Sequence, residues 1–272
     1  MRKVLENLQG WASEVFLVDS YSCDDTLDIA LEFGVKIIQR SFTGFGDQWN
    51  YAVKNLPISC PWVMKIDPDE IITNDLKKSI SENIAIANSH ICAFSFDRQL
   101  YFMSRSLPVR QEVLRVWRNG TCYFPEVLVN EHPIIDGKVL KISGILEHHD
   151  SPNLFHWLHK QNNYSSYEAI MSFEKRDLSY QPKLFGNSME RRMWAKLKFY
   201  SFPFRYSALF LYYFIFIGCW RSGKVGFIWS RLRCDVMRLV EYKTFEMKYK
   251  GKYSLNIETK KCQPDKRVKQ VN

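Results

Sequence analysis

Three short apolar runs, separated by helix-length segments, constrain this chain more than any other feature of its sequence. Glu14-Val15-Phe16-Leu17-Val18-Asp19 reads as a buried strand that ends in a carboxylate. A polar turn, Ser20–Thr26, overlaps the start of a helix from Asp24 to Phe33, which Gly34 stops. Val35-Lys36-Ile37-Ile38 is the next strand, Gly44–Gly46 a loop, and Asp47–Asn55 a helix. The third run, Trp62-Val63-Met64-Lys65-Ile66, breaks off in Asp67-Pro68-Asp69-Glu70. This alternation predicts an α/β fold on a Rossmann-like, mainly parallel sheet flanked by helices. Such sheets bind ligands at the rim beyond the carboxyl ends of their strands.

Two separate strands, ending at Asp19 and Asp67, bring acids to that rim. Hard oxygen ligands there suit Mg²⁺ or Mn²⁺ held against a phosphate-bearing substrate. A D-x-D by itself is weak, and taken alone it is better read as a strand followed by an Asp/Pro turn and a helix start, where acids are also favoured. The coincidence with Asp19 favours the functional use.

Further along, Asp75–Ala87 reads as a helix, and Ala93–Tyr101 and Glu112–Trp117 as strands added in antiparallel fashion. Asn130-Glu131-His132-Pro133 lies in a loop bounded by proline and glycine. Val139–Glu147 is a strand that closes on His148-His149-Asp150-Ser151, and Asn153–Arg176 a helix. From Arg191 the character changes. Arg191, Arg192, Lys196, Lys198 and Arg205 surround Trp194, Leu197, Phe199, Tyr200 and Phe202. The nearly wholly apolar run Ser207–Trp220 is shorter than the ~20 residues that span a bilayer. It fits an interfacial or re-entrant helix, or equally a helix packed on the preceding domain.

Charge divides the chain in the same place. Residues 183–272 carry 20 Lys/Arg against 6 Asp/Glu, and the first 182 carry 18 against 23. That asymmetry calls for an anionic partner, a membrane surface rather than nucleic acid, for which no motif is present. The expected organisation is a catalytic domain at 1–182, a basic and aromatic helical extension at 183–247, and a basic tail at 248–272. Seven scattered cysteines without a C-x-x-C pair predict reduced thiols in a cytosolic compartment and no zinc module. The polar, charged Met1–Gly10 does not read as a signal peptide.

With these features in view, residues 5–245 resemble glycosyltransferase family 2, in particular its lipopolysaccharide inner-core β-1,4-glucosyltransferase-like branch. Val18-Asp19-Ser20-Tyr21-Ser22-Cys23-Asp24-Asp25-Thr26 is similar to that family's V-D-S-G-S-T-D-G-T segment. Phe42-Thr43-Gly44-Phe45-Gly46-Asp47-Gln48-Trp49-Asn50 is similar to its F-x-G-[FY]-[GS]-x-Q-x-N helix entry, and Asp67-Pro68-Asp69-Glu70 stands where it has D-A-D-E. Asn130-Glu131 occupies the H-E position, and Lys160–Ala169 resembles the K-x-N-x-Y-S-x-x-E-A helix.

The resemblance implies a GT-A fold and an inverting transfer of a sugar from a nucleotide-sugar donor, a UDP-hexose, to a bacterial surface glycan or lipid-linked glycan. It implies a divalent cation at Asp67 and Asp69, and Glu131 as the base. Asp19, Asp24, Gln48 and Asn50 would serve the donor pocket, with a helix cap the favoured role for Asp24. Arg115 and Arg118 would meet phosphate or an anionic acceptor, and His148 would add a metal or phosphate contact. The expected location is cytoplasmic, peripheral on the inner face of the bacterial inner membrane. The chain departs from the pattern at Tyr21 and Asp25, where the family has glycine, at Asn130 for histidine, and at Pro68 for alanine. Nothing before Met1 matches the family's first strand, S-V-V-I-P-T-Y-N-E-E, so strands on either side of that place would lack ladder partners. The alternative is an impaired family member retained as a membrane-bound interaction protein.

Overall fold

A computed structural model describes residues 1–125, 132–174, 183–186, 188–199, 201–251 and 263–270. The chain divides into two compact units. The first comprises Met1–Leu100, Arg110–Asp150 and the C-terminal segment from Ile257; the second comprises Tyr101–Val109 and Ser151–Asn256.

The first unit has the α/β architecture expected from the strand–helix alternation. Helices α1 (Arg2–Leu8), α2 (Thr26–Glu32), α3 (Phe45–Asn55) and α4 (Asn74–Ile86) alternate with strands β1 (Phe16–Asp19), β2 (Lys36–Gln39), β3 (Trp62–Met64) and β4 (Glu70–Ile72). The long strands β5 (Ile91–Phe102), β6 (Arg105–Arg118) and β9 (Lys138–His149) follow, with short strands β7 (Cys122–Tyr123) and β8 (Ile134–Ile135) between the last two. β1 and β2 run parallel, Phe16 opposite Lys36 and Asp19 opposite Gln39. A C-terminal strand, β10 (Lys269–Gln270), extends this sheet in parallel on the other side of β2.

The second sheet has the order β3-β6-β5-β9-β4, in which β3 pairs antiparallel with β6 and β4 antiparallel with β9. Among the described residues, β1 pairs with β2 and β3 with β6, each on one side. The carbonyl of Val18 is nevertheless satisfied, because Gln48 Nε2 donates to it at 3.2 Å.

Side-chain alternation along β5 explains how the second sheet is covered. Phe94 and Phe96 point to one face and join Val4 and Leu8 of α1, Leu76 and Ile80 of α4, and Leu146 in the main core. Ala93 points to the other face, with Trp117 and Phe124. Thr73 caps α4 by accepting the Leu76 N–H through its side chain, a contact worth ~1 kcal/mol. Gly144 of β9 lets α4 approach: a Cβ there would stand 2.6 Å from the Leu76 Cα.

Among its described residues, the second unit is mainly helical outside Tyr101–Val109. Its helices are α5 (Leu154–Phe173), α6 (Ser188–Phe199), α7 (Arg205–Leu211) and α8 (Gly223–Lys250). A π-helical turn, Tyr212–Phe216, and a 3-10 turn, Cys219–Ser222, join α7 to α8. Lys243 of α8 donates to the Asn162 carbonyl and to the side chains of Asn162, Ser165 and Ser166 on α5, all at 2.7–2.8 Å. Desolvation lowers its pKa.

The thiol expectation is corrected at one position. Cys23 is disulfide-bonded, whereas Cys60, Cys92, Cys122, Cys219 and Cys234 are free. Which thiols meet is a property of the folded chain, and spacing alone does not encode it.

Candidate active site

The run that ends β3 becomes a tight acidic turn. The Glu70 N–H donates to the Asp67 carbonyl at 3.0 Å, and the Asp67 N–H donates back to Glu70 Oε2 at 3.0 Å. β4 begins at Glu70 and pairs it with His148 of β9, while the His149 N–H reaches the Asp69 carbonyl at 2.8 Å. Strand pairing therefore fixes the three carboxylates in three different surroundings.

Glu70 is fully buried and clamps the sheet. Its Oε1 accepts from Arg115 Nη2 at 2.5 Å and from Arg98 Nη1 at 3.2 Å. Asp67 is about one-third exposed and accepts from the same Arg115 nitrogen at 2.7 Å. Burial pushes the Asp67 pKa up, but Arg115, Lys65 and Arg98 outweigh that and the repulsion from Asp69, holding the carboxyl below its ordinary range. Lys65 is itself buried, with Nζ 3.9 Å from Asp67 Oδ1 and 4.3 Å from the Trp49 ring centroid. Asn50 makes a two-way clamp on the Phe124 backbone, donating to its carbonyl at 2.8 Å and accepting its N–H at 2.9 Å.

Asp69 turns the other way. Its Oδ2 lies 3.4 Å from His148 Nε2, which lies 3.9 Å from Asp150 Oδ1. Ligand atoms of all three residues fall within 4.8 Å of one another. That spread is close to the ~4 Å between donors on opposite sides of a small divalent cation. Two carboxylates and an imidazole suit Mn²⁺ and its neighbours in the first transition row, and Mg²⁺ less well. The donor set therefore fits a divalent cation.

The structure places the other sequence-derived residues as follows. Asp19 is buried at the end of β1; it accepts from the Ser22 N–H at 3.1 Å, from the Ser22 hydroxyl and from Gln39 Nε2 at 2.8 Å. Asp24 accepts the Thr26 N–H at 3.1 Å; the Thr26 side-chain hydroxyl above all, and this N–H as well, hold its carboxyl low against partial desolvation. Gln48 bridges Val18 and the Ser20 hydroxyl and accepts from Arg40 at 3.3 Å. Arg115 is buried between Asp67 and Glu70, and Arg118 donates to the carbonyls of Ile91, Ala87 and Asn88. Glu131 and Asn130 lie outside the described residues.

Sequence reasoning did not single out Asp150 or the buried Lys65. Asp150 had a visible signal, since it ends the His148-His149-Asp150 run where β9 closes. Lys65 had none, because a lysine in an apolar strand shows its partners only in three dimensions.

No protein-family model matches the chain. It is similar to an uncharacterized glycosyltransferase of Rickettsia typhi, 26% identical over 200 residues, covering 68% of this chain and 65% of that protein. One from Rickettsia prowazekii is 24% identical with the same coverage. The relatives are glycosyltransferases. A longer match, 237 residues at 24% identity, joins 83% of this chain to 80% of the lipopolysaccharide core biosynthesis glycosyltransferase LpsC of Rhizobium meliloti. The chain spans just under two thirds of the two rickettsial proteins.

Proposed function

We propose that this chain is a metal-dependent, inverting glycosyltransferase of the GT-A kind. It moves a hexose from a nucleotide-sugar donor, a UDP-hexose, to a bacterial surface glycan such as the lipopolysaccharide core. One observation carries the proposal: the Asp67–Glu70 turn sets Asp69 against His148 and Asp150 beside the ends of β3 and β9. The named relatives support the reaction class, and LpsC supports the acceptor class.

Asp69, His148 and Asp150 would hold the cation, with Asp67 alongside. The bound ion would neutralise the diphosphate as the glycosidic bond breaks. Arg115 and Lys65 keep Asp67 ionised, so the turn presents negative charge to the ion. Glu131 is assigned the proton of the acceptor hydroxyl, whose oxygen bonds to the anomeric carbon as the diphosphate leaves from the opposite face. Asp19 and Gln48 hold the Ser20–Ser22 turn against which the donor's nucleoside would rest, with Asp24 bracing the start of α2. Asn50 steadies Phe124, and Arg115 lends its charge to the phosphate end. Residues 1–182 are assigned to transfer, 183–247 to a peripheral hold on the inner face of the membrane from the cytoplasm, and 248–272 to a basic tail.

The test is UDP release from UDP-hexoses with Mn²⁺ and a core oligosaccharide acceptor. Release should be abolished by EDTA and fall ~100-fold or more in Asp69→Ala, as for other charge-stabilising groups. Full activity in Asp69→Ala would remove the metal assignment. Tyr21, at φ 63 where the resembled pattern has glycine, supports a second reading, an impaired member kept as a membrane-bound interaction protein. Folded protein that fails to bind any UDP-sugar with Mn²⁺ in calorimetric titration would favour it.

A further inference from the structure

Residues Tyr206–Trp220 carry no charged side chain, and Arg221 and Lys224 follow at once. Among the described residues, no helix is long and apolar enough to cross a membrane. The second unit divides this apolar run between two faces. On the inner face Phe210 stacks on Phe214 at 5.3 Å between ring centroids, and both meet Phe227 of α8 edge-on at 5.5 and 5.8 Å. Tyr213 meets Trp229 edge-on at 5.0 Å, and Cys219 is fully buried.

Among the described residues, the outer face meets no ring of α8, and Tyr212 touches only its neighbour Tyr213 edge-on at 5.2 Å. Leu211, Tyr212, Ile215 and Phe216 are exposed at helical spacing, Phe216 to 81%, and Trp220 continues the stripe at 53%. Arg221 lies over the Trp220 ring at 5.4 Å. Both Arg221 and Lys224 are exposed.

We propose that this stripe anchors the protein in the interface of an anionic bilayer. Ile215 and Phe216 enter the acyl boundary, Tyr212 and Trp220 sit at headgroup depth, and Arg221 and Lys224 meet lipid phosphates. Side chains with an apolar body and a polar tip suit that depth, and a helix lying in the interface combines such an apolar face with a basic border. Charge selects lipid over a second copy: residues 183–272 carry 20 cations against 6 acids, so a self-paired interface would set like charges together. The proposal rests on the peripheral location given above but not on the transfer reaction.

The experiment is flotation of the full chain with phosphatidylcholine vesicles, with and without phosphatidylglycerol, in the absence of any sugar. Binding should need phosphatidylglycerol and weaken with salt. Phe216→Ser should weaken it about tenfold, consistent with losing one inserted aromatic side chain, while thermal unfolding stays unchanged. Arg221→Gln with Lys224→Gln should weaken it about 25-fold, about fivefold per cation. Brominated lipid should quench fluorescence in the parent protein and much less in Trp220→Phe. Folded parent protein that does not float at low salt would overturn the proposal, as would unchanged binding in Phe216→Ser. A dimer in light scattering that Phe216→Ser dissociates, without vesicle binding, would instead assign the stripe to self-association.

Discussion

Asp69 Oδ2 lies 3.4 Å from His148 Nε2, whereas Asp67, two residues earlier in the same turn, faces Arg115 at 2.7 Å. Glu70, the next residue after Asp69, is fully buried against Arg98 and Arg115. One acidic run thus holds a carboxylate set beside His148, one held ionised by arginine, and one locked into the sheet.

Those surroundings predict opposite stability effects. Glu70→Ala leaves the buried Arg115 and the partly buried Arg98 without their shared acid and should cost about 3–5 kcal/mol. Asp69→Ala removes a partly exposed group beside another carboxylate and should change stability by less than ~1 kcal/mol. Urea unfolding of the two variants checks this ordering.

Cation binding should follow the Asp69, His148 and Asp150 set. Mn²⁺ should raise the thermal midpoint of the parent protein, and excess EDTA should reverse the rise. His148→Ala should weaken Mn²⁺ binding in calorimetric titration by at least ~10-fold, since one of three protein donors is gone. Equal affinity in the variant would place the ion elsewhere.

Tyr21 sits at φ 63, in the left-handed region, within the turn between Asp19 and Ser22. A non-glycine residue there costs roughly 1–2 kcal/mol, and glycine recovers part of this after its own chain entropy. Tyr21→Gly should therefore stabilise the fold by about 1 kcal/mol in chemical denaturation, and a loss of stability would contradict the strain argument.

Burial pushes the Cys122 thiol up to about 12, against the lowering pull of Lys65. At pH 8.5 it should resist iodoacetamide in the folded protein and react on unfolding, as peptide mass spectrometry would show. A raised folded value also sets the sign of linkage. The protonated thiol adds stability below its unfolded value near 9, and that stability is lost as pH rises from about 9 to 12. Cys122→Ala should flatten that alkaline limb.

The sequence by itself determined the α/β alternation, the position of the acidic run at the end of β3, and the split between an acidic first part and a basic, aromatic C-terminal part. Those are local facts, written in periodicity, turn residues and charge counts. It also marked Tyr21 as a residue in a glycine's place. Tertiary structure decided which acid does what, because antiparallel pairing of β4 with β9 brings Glu70 opposite His148 and so sets Asp69 beside it. It likewise turned Gln48 and Asn50 onto Val18 and Phe124 and hid one face of Tyr206–Trp220 against α8. Partners separated by dozens of residues meet only when strands register and helices pack, and no spacing rule along the chain contains that information.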